Sequence, residues 1–411
     1  MAHNEEPTSK EAAALPIPYW EFLPLMALLM SLTAMSIDIM LPALPDIGAT
    51  LRVSDRSNLP LVVSVFMFGA AIGQLVWGPL SDRFGRRRPL LAGVLLFITA
   101  TLVALLAASF EQLLAARFLQ GIGASVGRII VTAIVRDLFS GRAMARIMSL
   151  VMMVFILVPI LAPSVGQLVL LIGNWRWIFT VLLGAGSVAV LWAAVRLPET
   201  QKPLARGARR SSLGEALRLV LGNRTTFGYG IGQGFVFGIL VAYIASAQQV
   251  FGGAYGLGEL FPLAFGSVAC ALAAASFTNS RLVQRLGMRR LSHSALVAVL
   301  VLSTFLAIVA AGRGLGFPGA LAGMMACFYL YGLMLSNFNA IAMQPMGAAA
   351  GMAASLTGSY STAAGALFGT LIARSFDGTV LPLFAGFAAL SGAALLTVFF
   401  IEGRNGMFRG E

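Results

Sequence analysis

Apolar runs of about twenty residues follow one another along nearly the whole chain, separated by short polar segments. Few folds accept such a pattern. In hydrocarbon every backbone N–H and C=O must be satisfied inside the protein, so the runs must become helices or a closed barrel. Two-residue alternation of polarity over strand-length stretches is absent, which argues against an outer-membrane barrel. The composition points the same way: 58% of residues are hydrophobic and 11% are charged, less than half the charge of a typical soluble domain. Helices are predicted over 21–44, 59–79, 89–109, 112–134, 145–171, 176–196, 225–247, 258–278, 291–311, 318–341, 350–373 and 380–401. The longest connection lies between the sixth and seventh. It is polar and basic, holds Pro198 and Pro203, and includes a predicted interfacial helix over Ser212–Leu221. The expected organisation is a tail (1–18), a six-helix bundle (19–197), a linker (198–223), a second six-helix bundle (224–402) and a tail (403–411).

A net charge of +12 belongs to loops rather than to a nucleic-acid surface. With the N-terminus in the cytoplasm, 21 of the 28 basic residues fall inside and 5 outside, the asymmetry that sets orientation. Both termini are then cytoplasmic. The first residues, with Glu5, Glu6 and Glu11, lack the basic start of a cleaved signal peptide. Cys270 and Cys327 lie in apolar runs, which suggests buried packing rather than a disulfide or metal site. His3 and His293 are too few for a metal centre. A phosphate-binding GxxxxGK[ST] is absent, and no clustered catalytic set is found. The expectation is no enzyme, no cofactor and no metal, with an ion gradient as the energy source.

The segment GPLSDRFGRRRP, Gly78–Pro89, places Asp82, Arg83, Arg86, Arg87 and Arg88 between two apolar runs. These charges cannot enter hydrocarbon cheaply, so they must cap two helices at a water-facing surface. A weaker copy, RLVQRLGMRRL, follows at Arg281–Leu291. Aligned on its glycine, Arg285 matches Arg83, Gly287 matches Gly85 and Arg289 matches Arg87, while Gln284 stands where Asp82 would be. A duplicated six-helix unit gives this relation. The first copy, through Gly78, Asp82, Arg83, Gly85, Arg86 and Arg87, resembles the loop between the second and third helices of the major facilitator superfamily (MFS), roughly G-x-x-x-D-R-x-G-R-R. In that fold Arg136 and Asp137, which end the fourth helix, lie nearby. The resemblance implies a gate built from Asp82, Arg83, Arg136 and Asp137; solvated surface charges are the plainer reading.

Asp38 is the one carboxylate placed well inside a predicted span, in MSIDIMLPALPDI. Such an acid is a proton or cation site facing water, or a structural acid paired to Arg117. Pro42 frees the Asp38 carbonyl and loosens the helix. The spacing D-x-x-x-P-x-x-P resembles the first-helix motif of the twelve-span drug–proton antiporters. Arg117 and Gln120, in LLAARFLQGIGAS, resemble the fourth-helix motif R-F-x-Q-G, whose arginine is linked to proton transfer; an arginine snorkelling to the interface is the alternative. Asp38 and Arg117 are expected to share a depth. Arg128 follows eleven residues after Arg117, on a similar helical face; it either snorkels toward the cytoplasm or faces substrate. Pro159, Pro163 and Gly166 in VPILAPSVGQ resemble the fifth-helix motif g-x-x-x-G-P-x-x-G, with Ala162 for its first capital glycine. The family ties that motif to export; an ordinary kinked helix is the bland reading. Gln233, Tyr243, Asn337 and Asn339, with Gln248 and Gln249, are candidate cavity residues. Phe66, with Phe68, Phe235 and Phe237, either stacks on a drug or packs in the core.

NWRWIF at Asn174–Phe179 and LPET at Leu197–Thr200 extend the resemblance over nearly the whole chain, closest to its Bcr/CflA branch. The implied protein is an all-α membrane protein of twelve transmembrane helices in two pseudo-symmetric six-helix bundles, the MFS fold. It would be a monomer in the lipid bilayer of the bacterial inner membrane. Its partners would be a small-molecule drug substrate and protons, and no nucleic acid. The implied function is proton-coupled efflux (antiport) of small amphiphilic drugs of the chloramphenicol or bicyclomycin type, by alternating access. The alternative is a proton-coupled exporter or symporter of a metabolite on the same fold.

Overall fold

The computed structural model describes residues 17–201, 213–406 and 408. The expectations for residues 1–16, the heart of the linker (202–212) and most of the last tail lie outside the described residues. Twelve long helices run through the rest: α1 Tyr19–Asp38, α2 Leu61–Phe84, α3 Arg87–Leu105, α4 Phe110–Leu138, α5 Gly141–Ile172, α6 Arg176–Arg196, α7 Arg224–Gln248, α8 Phe261–Leu286, α9 Met288–Arg313, α10 Phe317–Met343, α11 Ala350–Arg374 and α12 Leu381–Gly406. Helices α1–α6 form one bundle and α7–α12 the other, and the halves meet where α2 packs on α11 and α5 on α8. A short amphipathic helix, Leu213–Gly222, joins them and rests against α7 and α11. The end of the molecule that holds this helix and the α2–α3 turn is called the linker end below.

The outer faces are apolar. Leu157, Leu161 and Leu168 on α5, and Val301, Phe305 and Ile308 on α9, are all exposed. A surface this apolar needs a bilayer around it. Cys270 is exposed on α8, whereas Cys327 is buried as expected of both; α8 turns the Cys270 face away from its neighbours. Eleven of the described helices are long and apolar enough to cross a membrane. The twelfth, α11, has the length but is rich in serine, threonine and glycine. Several of its hydroxyls are satisfied within the helix, as where Thr357 donates to the Ala353 carbonyl (2.9 Å) and Ser361 to the Thr357 carbonyl (2.7 Å).

Two features of the first half set the positions of the site residues. The first is close helix approach at small residues. A Cβ added to Gly121 of α4 would lie 2.0 Å from the Phe66 carbonyl oxygen, and one added to Gly69 of α2 would lie 2.0 Å from that of Phe118. The second is a break in the first span. The α-helix was expected to continue to residue 44, but it stops at Asp38; a 3-10 turn, Leu41–Ala43, and a short helix, Leu44–Thr50, follow. Pro42 and Pro45 explain this, because each lacks the N–H that would extend the ladder. Gly166 of α5 packs on the break: an added Cβ would lie 2.1 Å from the Ile39 carbonyl oxygen and 3.1 Å from Pro42 Cγ.

The two halves repeat a backbone signature. Gly85 ends α2 at φ 88°, ψ 175°, and Gly287 ends α8 at φ 79°, ψ 158°. Both values are open to glycine and strained for other residues, so the glycines aligned from sequence do the same structural work.

Candidate functional site

Asp38 ends α1 at the boundary between the halves. It is buried, and its Oδ1 has no hydrogen-bond partner among the described residues. The adjoining 3-10 turn touches α7, and the Tyr243 phenol of α7 is close enough to feel the Asp38 charge. Tyr243 donates to the Phe265 carbonyl (3.2 Å) and sits in an aromatic wall, with ring centroids 5.1 Å from Phe265 and 4.6 Å from Phe328. The acid therefore faces a wall that offers it no cation. An ionised carboxylate without a counter-charge is costly to bury, which ties its charge to the water that reaches it.

Arg117 shares a depth with Asp38 but not a face. Thr33 of α1 donates to the Ala124 carbonyl (3.0 Å), and Gly127 packs on the Leu29 carbonyl; carrying this antiparallel register along α1 brings Asp38 level with the Arg117 turn. Yet Arg117 is fully buried inside the first bundle. Its Nε donates to the Val62 carbonyl (3.1 Å) and its Nη1 to Gln120 Oε1 (2.6 Å), while Gln120 donates to Thr101 (2.8 Å). The guanidinium lies 4.3 Å from the Phe66 ring centroid, a cation–π contact. Neither the Asp38 pairing nor the snorkelling arginine is found. Phe66 and Gln120, expected beside substrate, instead hold Arg117 in place and have no exposed surface.

Arg128 stands apart. Helix α2 covers α4 at Gly121 and Ser125, α3 covers it at Gly123 and Val126, and α1 covers it at Gly127. Arg128 emerges on the face left open between α1 and α2, exposed, with exposed Thr132 and Arg136 one and two turns on. Tyr331 of α10 is within electrostatic range of it. Gln233, Gln248 and Gln249 of the α7 span are half-buried, each with an unpaired Oε1. Asn337 is buried and donates to Asn279 of α8 (2.7 Å) and to the Leu333 carbonyl (2.8 Å), so it braces the second bundle. Asn339 is exposed. Phe235 stacks on Phe368 within the second half, centroids 5.2 Å apart.

At the linker end a charged cluster is centred on Arg86. Its Nη1 donates to Asp82 (2.7 Å) and Ser81 (2.9 Å), and its Nε to Asp137 (2.7 Å). Burial alone would lower the Arg86 pKa; the bonds it donates to Asp137 and Asp82 outweigh that and raise it. Arg83, expected in this network, lies instead over the Phe84 ring at 5.2 Å, because it follows Asp82 directly and is turned about 100° around α2 from it. Arg136 turns to the second half, where a Cβ on Gly351 of α11 would sit 3.0 Å from its guanidinium. The other acid here is Glu199 of the LPET string, whose role that string does not announce because its main partners lie more than a hundred residues earlier. Glu199 accepts from the backbone N–H groups of Arg86 (2.7 Å), Arg87 (3.2 Å) and Gln201 (2.9 Å). Burial raises its pKa, but these backbone donors more than reverse the effect and hold it below the usual glutamate range.

The second half has its own cluster, also unforeseen. Glu402 accepts from Arg289 (2.9 Å) and from the Tyr229 hydroxyl (2.8 Å), which also lies 2.9 Å from His293 Nε2. Along the seam between halves, Ser355 donates to the Gln74 carbonyl (2.9 Å), Ser359 to the Ala71 carbonyl (2.7 Å), and Gln74 Nε2 to Thr362 (3.1 Å). Among the described residues no group of three or more His, Cys, Asp or Glu could hold a metal.

Residues 26–370 match the family model of the Major Facilitator Superfamily. The chain belongs to this superfamily. It is thus a multi-pass membrane transporter and not an enzyme. Among MFS relatives, the MFS-type transporter YdgK of Bacillus subtilis is 33% identical over 386 residues, covering 90% of this chain and 91% of its own length. The bicyclomycin resistance protein homolog of Haemophilus influenzae is 31% identical, covering 95% and 98%. The chloramphenicol resistance protein of Pseudomonas aeruginosa is 30% identical, covering 83% and 80%. Among solved MFS structures, a D-xylose-proton symporter superposes with a TM-score of 0.77 at 14% identity, covering 95% of this chain and 99% of that one. This likeness supports the fold alone.

Proposed function

We propose that this transporter exports small amphiphilic compounds of the chloramphenicol or bicyclomycin class across the bacterial inner membrane in exchange for protons. The observation that carries the reading is Asp38, a buried carboxylate with an unpaired oxygen at the break of the first span, beside the wall of the opposite half. When the cavity opens outward, a proton from the periplasm neutralises Asp38 and substrate leaves. When it opens inward, arriving substrate displaces the proton to the cytoplasm. Substrate and proton compete even when the substrate is neutral. The half-buried glutamines of the α7 span, each with an unpaired Oε1, supply polar contacts and the aromatic wall supplies the apolar ones. The Arg86 cluster holds the linker end of the first bundle together as the halves rock, with both termini cytoplasmic by the charge asymmetry of the loops. One copy suffices, because the proposed path lies within a single chain.

The names of the relatives support the substrate class, and the α5 proline–glycine spacing supports the direction. The test is export of chloramphenicol and bicyclomycin by a pump-deleted host expressing the chain, together with drug binding to purified protein from pH 5 to 9. Wild type is expected to lower susceptibility and to bind more weakly as pH falls, releasing protons on binding. Asp38→Asn is expected to lose both the pH dependence and uphill transport. A variant that still accumulates drug against its gradient, driven by ΔpH, removes Asp38 from the mechanism.

A further inference from the structure

Two polar groups from different halves lie within electrostatic range of each other, and the proton cycle uses neither. Arg128 lies near the middle of α4, on the one face that α1, α2 and α3 leave uncovered. Its side chain is exposed even though α4 is a central helix of the bundle; an exposed residue that looks toward α10 borders the water-accessible space between the halves. Among the described residues the guanidinium has no ion-pair or hydrogen-bond partner. Asp82 and Asp137 are engaged by Arg86. Asp38 is level with Arg117, three helical turns away, which is about 16 Å along the axis. Opposite Arg128, Tyr331 is fully buried, and its hydroxyl has no hydrogen-bond partner. The two are within electrostatic range. Tyr331 continues the aromatic wall, its ring 5.5 Å from that of Phe328.

An uncompensated cation beside an unused hydroxyl, backed by aromatic rings, is a receptor for a group with negative charge. Guanidinium and phenol both donate to the same kind of oxygen, and the rings take the apolar body attached to it. We propose that Arg128 and Tyr331 form the head-group subsite of the transport cavity, and that the preferred substrates are amphiphiles carrying a carboxylate or similar anionic oxygen group. The inference rests on the reading of the space between the halves as the substrate path, but not on the direction of transport or on proton coupling. A cavity so equipped disfavours amphiphilic cations, because like charge meets them where no acid offsets it.

The test uses probes that share one apolar body: 1-pyrenebutyrate, its amide, and 4-(1-pyrenyl)butyltrimethylammonium. Equilibrium binding is read by fluorescence polarisation on the full-length protein in nanodiscs of zwitterionic phosphatidylcholine, which removes anionic lipid headgroups as rival occupants. Wild type is expected to bind the carboxylate at least ~10-fold more tightly than the cation, the scale of one hydrogen bond to a charged group. Arg128→Gln should lose that preference while binding the amide as wild type does, which also shows that the variant is folded. Arg128→Lys should keep the order of preference, and Tyr331→Phe should weaken carboxylate binding by a few-fold. The proposal is overturned if wild type binds no carboxylate or binds the cation as well, or if Arg128→Gln leaves carboxylate affinity unchanged. Loss of all three probes by a normally melting Arg128→Gln overturns it as well. Because binding is measured without a gradient, failure of proton-driven export leaves this result intact, and failure here leaves the export reading to its own test.

Discussion

At the scale of single residues, an almost wholly buried guanidinium needs its donors satisfied, and Arg86 meets that demand with Ser81, Asp82 and Asp137 at once. The two acids are not equivalent. The Asp82 side chain is 37% exposed and that of Asp137 16%, so water can replace the first more readily than the second. Asp137→Asn is therefore expected to lower the stability of purified protein more than Asp82→Asn, by a difference on the order of 1 kcal/mol, seen as a lower melting temperature. Asp82→Asn should slow transport with near-normal folding; a rate equal to wild type would remove the loop from gating. Gln284→Ala should do much less, since the second copy already lacks the acid. Glu199 adds a pH effect of definite sign. Its folded pKa is depressed, so its contribution is present above the unfolded glutamate value of ~4.3 and is lost as pH falls through the lower folded value. Wild-type melting temperature should therefore drop more steeply than that of Glu199→Gln as pH is lowered from about 5 toward 3. Parallel curves would show that Glu199 is not an acid-sensitive tie.

At the scale of the element, the first span and α5 form one unit. The prolines announced the loosening of the helix but not its extent: the ladder stops at Asp38 because Pro42 and Pro45 withhold two donors within one turn. Gly166 then lets the α5 backbone close on the broken segment. Gly166→Ala should already destabilise, and Gly166→Val should do so by about 1–3 kcal/mol while abolishing export or raising proton leak; normal melting and normal coupling would reduce α5 to a scaffold. The positions of long helices were legible because apolar length is a strong local signal. Which way a polar side chain turns was not, since that depends on neighbours distant in sequence. Arg117 and Arg128 sit on nearly the same face of α4, yet one is held by Phe66 and Val62 of α2 and the other is left open. Glu199 and the Tyr229–His293–Glu402 cluster were hidden for the same reason, their partners lying far along the chain.

At the scale of the whole molecule, two halves share a seam that must stay attached while the ends move. Ser355, Ser359 and Thr362 recur along one face of α11 and meet α2 through hydroxyl contacts. Each such bond inside a membrane protein is worth only about 0.6 kcal/mol, weak enough to slide and numerous enough to hold. Replacing Ser355 and Ser359 together by alanine should shift the balance between inward- and outward-facing states several-fold, read as changed spin-label distances between the halves. An unchanged distribution would assign the seam to packing alone. A proton-binding Asp38 at the break of the first span has an electrical consequence. Over a full cycle the protein returns to its starting charge, so each proton taken inward in exchange for a neutral substrate carries one whole positive charge across the membrane, worth about 2.3 kcal/mol per 100 mV. An anionic substrate leaving in the same cycle doubles that charge. Transport should then be electrogenic: in vesicles with equal pH on both sides, an imposed potassium diffusion potential alone should drive accumulation, and reversing its sign should stop it.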